Sequence, residues 1–328
     1  MQPRYQITAD GVDVTDAIRK RFIKLVWRDE RGYETDTLTL TLDDRPELDG
    51  SYIEMPRTGV KLTLSLGYGE QLEQVGDFVV SECNPSGFPE RLTIKAHAAD
   101  MKAGLKEKRS RGFDHISIHD LMTTIATEHG YKAKVSPALA SQSIPRIDQS
   151  NENDMHLLQR LAKERGAVAK ISNGYLLFVL KGDAKSVSGQ VLPTVDLHKT
   201  DLSSFYAVFA DREQYQQVTA RYHSKATGME HYTHVGSGFP VFAISRIFTD
   251  AASAQAAAQA RYDQQAAGKL SLDFTTAGNT SMLAEAAVNI TGMRPGIPSA
   301  WVCDSAEHSL DKAKGWQVRL KLVQKKPA

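Results

Sequence analysis

The sequence predicts a mainly β protein of the α+β class, in which two β-rich regions flank an α+β insert. Three observations carry that prediction. Leucine and threonine alternate along 35–42, Thr-Asp-Thr-Leu-Thr-Leu-Thr-Leu, and the same period of two returns along 60–66, Val-Lys-Leu-Thr-Leu-Ser-Leu. Only a β-strand sends every second side chain to one face, so these segments belong to a sheet with one apolar and one hydroxyl-rich face. Apolar residues then shift to helical spacing between 116 and 165, and β-type sequence resumes from about 191.

In the first hundred residues, strands are expected at 4–9, 22–28, 35–43, 60–66, 74–83 and 91–98, with a short helix at about 16–20. The separating turns are Asp10-Gly11, Arg31-Gly32, Asp49-Gly50, Gly67-Tyr68-Gly69 and Asn84-Pro85-Ser86-Gly87. Short strands at this spacing suggest a closed barrel or a sandwich. After the charged stretch 102–111, Ile118, Leu121, Met122, Ile125 and Ala126 share one face of a helix within 116–129, with Ser117 as N-cap and Gly130 as stop. A second helix is expected over 153–165, ended by Gly166. Its stripe is Met155, Leu158, Leu161 and Ala162, of which Leu158 and Leu161 are expected to pack on a strand at 175–180 that forms a hairpin with 168–172 around Asn173-Gly174. Strands follow at 204–210 and 214–223, then an alanine-rich helix at about 251–268. The last strands lie near 269–275, 282–290, 300–305 and 316–322. The domain boundaries implied are 1–100, 101–190 and 191–328.

A chain of 328 residues has room for two or three domains, and 41% hydrophobic with 24% charged residues is an ordinary globular composition. The 40 basic and 39 acidic residues nearly cancel, which argues against a dedicated or sequence-specific nucleic-acid binder. The N-terminus lacks a secretory pattern and no apolar run is long enough to span a bilayer, so a cytoplasmic origin without membrane insertion is expected. Cys83 and Cys303 lie far apart, as buried thiols rather than a disulfide framework.

Catalytic and metal-binding patterns are weak. His231 and His234, with His223 and Glu230 nearby, have no completing ligand, and their spacing on a strand fixes no common face. His115 and His119 straddle the Ser117 cap. Gly236-Ser237-Gly238 is not a nucleophile elbow, and neither a phosphate-binding loop nor a dinucleotide fingerprint is present. Asp43-Asp44 and Asp29-Glu30 read as strand-end turns. No catalytic residue, metal or cofactor is therefore expected. What stands out instead are two interface candidates: the hydroxyl face Thr35, Thr37, Thr39 and Thr41, and the basic run Lys102, Lys106, Lys108, Arg109 and Arg111. The basic run is either a solvated connector, a contact arm to an acidic partner, or a lining for a channel crossed by a charged polymer. This balance favours an assembly protein.

The segment 151–167, Asn-Glu-Asn-Asp-Met-His-Leu-Leu-Gln-Arg-Leu-Ala-Lys-Glu-Arg-Gly-Ala, followed by Gly174-Tyr175-Leu176-Leu177-Phe178, resembles the late control protein D family of contractile phage tails. The same helix-then-hairpin signature occurs in the spike proteins of type VI secretion. Residues 78–83, 106–111, 118–130, 292–308 and 315–318 agree in order, so the resemblance spans nearly the whole chain. It implies a baseplate hub: a homotrimer whose subunits each supply two tube-like β-barrels to a sixfold tail tube, while the far side accepts a threefold central spike. Other baseplate proteins are further implied partners, in a complete phage or a headless phage-tail-like bacteriocin. Two other classes stay open, a peptidoglycan-binding module and a tail-tip hydrolase with a spatially assembled carboxylate pair.

Overall fold

The computed structural model describes residues 2–30, 35–47, 49–98, 105, 107–172, 174–180, 194–209, 215–224, 227–267 and 270–324. They fall into two compact units, one drawn from 1–100, 193–206 and 272–322, the other from 101–192, 207–271 and 323–328. The protein is mainly β, with few helices.

The first β region comprises β1 (Pro3–Ala9), β2 (Val12–Asp13), α1 (Thr15–Arg21), β3 (Phe22–Glu30), β4 (Thr37–Asp43), β5 (Lys61–Tyr68), β6 (Gln71–Ser86) and β7 (Arg91–Ala98). Strand β4 lies between β3 and β7, so that Leu40 is flanked by Leu25 and Ile94, and Leu38 by Trp27 and Ala96. The alternating leucines all turn inward: Leu38, Leu40 and Leu42 are each 1% exposed. One expected turn is not a turn. Asn84, Pro85 and Ser86 continue β6, paired with Thr93, Leu92 and Arg91. Pairing with β5 ends at Val79, so Pro85 occupies an edge position, where a missing N–H removes no ladder bond.

The middle of the chain contains β8 (Lys108–Ser117), α2 (Ile118–Glu128), β9 (Lys132–Val135), α3 (Pro137–Ala140), β10 (Ser143–Asn153), α4 (Asp154–Glu164), β11 (Ala167–Ser172) and β12 (Tyr175–Leu180). Both long helices start at a side-chain cap: Ser117 Oγ accepts from Asp120 N, and Asn153 Oδ1 accepts from His156 N. Strands β11 and β12 form the expected hairpin. The expected platform for α4 differs: that helix lies on β11, while β12 lies under α2. The β8–β10 ladder has no counterpart among the expected elements, because 143–152 carries no predicted strand and 102–111 reads only as a charged stretch. Its inward positions include Arg109, Arg111 and Gln149, so polar residues mask the strand alternation.

The remaining elements are β13 (Val195–His198), β14 (Leu202–Phe209), β15 (Gln217–His223), β16 (Glu230–Gly236), β17 (Val241–Phe248), α5 (Ala251–Ala267), β18 (Leu270–Ala277), β19 (Ala287–Thr291), β20 (Ala300–Asp311) and β21 (Gly315–Gln324). In the second unit, β16, β15 and β17 form a sheet in that order. The helix α5 packs on it through Ala254, Ala257 and Ala258 against Val218, Ala220 and Phe248. Small alanine side chains allow this close approach. Strands β16 and β17 were not read from the sequence, and 282–286 forms turns rather than the start of a strand.

One continuous sheet runs through both β regions in the order β14-β18-β21-β20-β3-β4-β7-β6-β5-β1-β2, with β13 and β19 branching from β20. The twelve residues of β20 explain the junction, because its first part pairs with β19 and its last seven residues pair with β3. Among the described residues the path is open, with β14 at one end and β2 at the other, and no pairing among them closes the two tube-like barrels that the resemblance implies.

Candidate interaction surfaces

The outward face of β4 extends across five strands. In successive rows, Asp311, Lys24, Thr41, Thr93 and Asn84 lie side by side, then Ser309, Val26, Thr39, Lys95 and Glu82. The next row is Glu307, Arg28, Thr37, His97 and Val79. Thr37, Thr39 and Thr41 are half-buried in this surface, and Thr35 lies just before the strand, also half-buried. Three cations, Lys24, Arg28 and Lys95, face three carboxylates, Glu82, Glu307 and Asp311. Arg28 Nε donates to Glu307 at 2.7 Å and Lys95 Nζ to Glu82 at 3.1 Å. The result is a broad, wettable, charge-balanced wall, with the apolar set of the same strands turned to the core.

The basic run has a different fate. Lys102 and Lys106 lie outside the described residues, and Lys108 is exposed at the start of β8. Arg109 and Arg111 share one face of β8 and both reach inward. Arg109 donates to Glu128 at 2.7 Å, and Arg111 donates to Glu128 at 2.7 Å, to Asp154 at 2.7 Å and to Gln149 Oε1 at 2.8 Å. The Asp154 side chain is fully buried at the first turn of α4, where His129 Nε2 lies 2.7 Å from Oδ2 and Gln149 Nε2 donates to Oδ1 at 2.8 Å. Burial pushes the Asp154 carboxyl up, but the hydrogen bonds from His129, Gln149 and Arg111 and the Arg111 charge outweigh it and hold the group below its ordinary value. This network joins β8, α2, β10 and α4.

Glu128, His129 and Asp154 also have the proximity of a metal-ligand set. The donor set does not suit a cation, because both carboxylates already carry guanidinium groups and a divalent ion would have to displace two arginines. His231 and His234 lie on β16 three residues apart, hence on opposite faces, and His231 Nε2 is 2.9 Å from Thr227 Oγ1. His115 and His119 fall on β8 and α2, on either side of the Ser117 cap. Asp43 is held by Arg45, and Asp29 Oδ2 accepts from Ala284 N at 2.9 Å. His231, Asp43 and Asp29 thus each have a structural partner. The buried aspartate was missed in the sequence, although Asn153-Asp154 opening a helix and Arg-x-Arg on a strand were visible there.

The mainly β fold with few helices is shared with solved tail proteins. The structure is similar to the 43 kDa tail protein of prophage MuSo2 from Shewanella oneidensis, with a TM-score of 0.74 at 16% identity, covering 98% of each chain. It is also similar to the Escherichia coli c3393 protein, a component of the type VI secretion system with structural similarity to the T4 tail proteins gp27 and gp5. That match has a TM-score of 0.58 at 9% identity, covering 100% of this chain and 80% of the other. In sequence, the probable baseplate hub protein of Escherichia phage 186 is 30% identical over 98% of this chain and 94% of its own length. The family model for the phage tail baseplate hub (GPD) matches residues 37–313, and the chain belongs to that family. It is thus a structural component of a phage tail, associated there with other tail proteins.

Proposed function

We propose that the chain is a trimeric symmetry adaptor that joins the sixfold tail tube to the threefold central spike, as a structural part without catalytic activity of its own. Each copy contributes two tube-like β-rich modules, from about 1–100 and 191–328, around the insert at 101–190. The observation that carries this reading is the open sheet path ending in β14 and β2. Edge strands left in this way expose unpaired backbone groups, and identical neighbours in a ring satisfy them while closing the assembly. The charge-balanced Thr37–Thr39–Thr41 wall supports the same reading, since it suits either a wet lumen or a polar contact between subunits.

Co-expression with the tube and spike proteins of the same tail, followed by native mass measurement and electron microscopy, tests the proposal. Three copies of the chain in a ring with both partners attached is the expected result. A particle that stays monomeric with both partners present overturns it, and fragments released from purified peptidoglycan would identify a tail-tip hydrolase instead.

A further inference from the structure

Of the large apolar side chains that the fold leaves in water, Phe88 at 94% and Phe239 at 85% are the most exposed. Both belong to the same tetrapeptide, Ser-Gly-Phe-Pro, at 86–89 and again at 237–240. Each phenylalanine stands in a four-residue link between strands, the first from Ser86 to Arg91 and the second from Gly236 to Val241. The first tip belongs to one compact unit and the second to the other.

Neither link is loose at its base. Glu90 O accepts from Asp44 N at 3.2 Å, and Ser86 Oγ donates to Arg91 O at 3.4 Å. At the second tip, Pro240 O accepts from Gln216 N at 2.8 Å. Gly238 has a φ of +106°, a backbone conformation that favours glycine. The stems are fixed while the rings project, so little ordering cost opposes their capture by a partner.

One buried phenylalanine covers about 150–250 Å². A stable interface needs about 800 Å² on each partner, so one tip is an anchor and not an interface. Two like anchors on one chain gain most from a partner that repeats one pocket, because the second contact then becomes intramolecular. A partner of that kind is an oligomer of identical subunits. On the trimeric hub reading, two anchors per copy match a ring of six pockets and not a threefold spike.

We propose that Phe88 and Phe239 are paired anchors for the tail tube ring, each ring of phenylalanine entering an apolar pocket that every tube subunit presents. This proposal rests on the hub reading above. The test uses purified full-length chain and the purified tube and spike proteins of the same tail, with binding measured for wild type, Phe88→Ser, Phe239→Ser and the double variant. Circular dichroism and melting establish that the variants keep the fold, as such exposed positions should. Each single change is expected to weaken tube binding about 10- to 100-fold, and the double change to abolish it, with spike binding unchanged. Tube binding that is equal in wild type and the double variant overturns the anchors and leaves the hub reading standing. A wild-type chain that binds no tube protein overturns both. Loss of self-association in the double variant with tube binding intact reassigns the tips to contacts between copies of the chain, and so overturns the proposal.

Discussion

Changing His308 to glutamine and following stability from pH 7 to pH 4 probes the core of the first unit through one buried group. His308 is fully buried on β20, with its ring stacked on Trp27 at 4.3 Å and its Nε2 2.8 Å from the Met282 carbonyl. That carbonyl can only accept, so Nε2 carries the hydrogen, and Nδ1 has no hydrogen-bond partner. Burial therefore pushes the imidazole down from its ordinary 6.5 to about 4, against smaller opposing effects from Met282 and Asp29. The unfolded chain takes up its proton near pH 6.5, while the folded chain waits until about pH 4. Stability is thus fully present above 6.5 and falls as the pH drops through that window. The drop of about 2.5 pKa units corresponds to about 3 kcal/mol. Glutamine keeps a donor for Met282 O and does not titrate, and it costs about 1–3 kcal/mol at pH 7 through lost stacking. Carboxylates common to both proteins cancel in the comparison. Urea unfolding read by tryptophan fluorescence is the assay, because Trp27, Trp301 and Trp316, the three tryptophans of the chain, all lie in the first unit. The advantage of wild type over the variant should shrink by about 3 kcal/mol between pH 7 and pH 4. Parallel stability curves across that range would refute the reasoning.

Three further outcomes are expected. Leu161→Ala, at a position 2% exposed where α4 meets β11, should cost about 2–5 kcal/mol in urea unfolding followed by far-ultraviolet circular dichroism. Arg111→Met removes the guanidinium that lies over Phe113 and strips a charged partner from buried Asp154, so it should cost about 3–5 kcal/mol. Because Asp154 is depressed below its ordinary 3.8, that cost should be complete above about pH 4 and shrink as the pH falls through the lower folded value, measurable by unfolding at pH 3 and pH 6. On β4, Leu40→Asp should unfold the first unit and Thr39→Arg should not, since Leu40 is 1% exposed and Thr39 lies on the polar wall, as thermal melting will report.

The sequence was legible wherever burial is apolar and periodic. The Leu-Thr alternation located β4 and β5 and assigned their faces, and both capped helices started where Ser117 and Asn153 indicated. Legibility failed where polar groups take inward positions. Strand β8 sends Arg109 and Arg111 inward to meet Glu128 and Asp154, so charged side chains take its inward positions, which a hydrophobic period does not detect. Strand β16, with Glu230, His231, Tyr232, Thr233 and His234, looks like a turn in composition and gains its place from pairing with β15.

The same reasoning explains why the partition of the chain was harder to read than its elements. A run of strands, an insert and a second run of strands suggests separate barrels, because local pattern says nothing about which strands pair across some 280 residues of sequence. That pairing is decided by β20, where Trp27 and Leu25 of β3 meet His308 and Leu310 in register. His308 is the residue that gives least away in the sequence: a histidine in a strand is ordinarily placed at the surface. Here its flat ring fills the space beside Trp27 as an aromatic would, at the cost of a proton it can no longer hold above about pH 4. The junction that joins the two β regions therefore depends on a group whose neutrality depends on pH, and the first unit should lose cohesion in acid at that seam before its leucine layer yields.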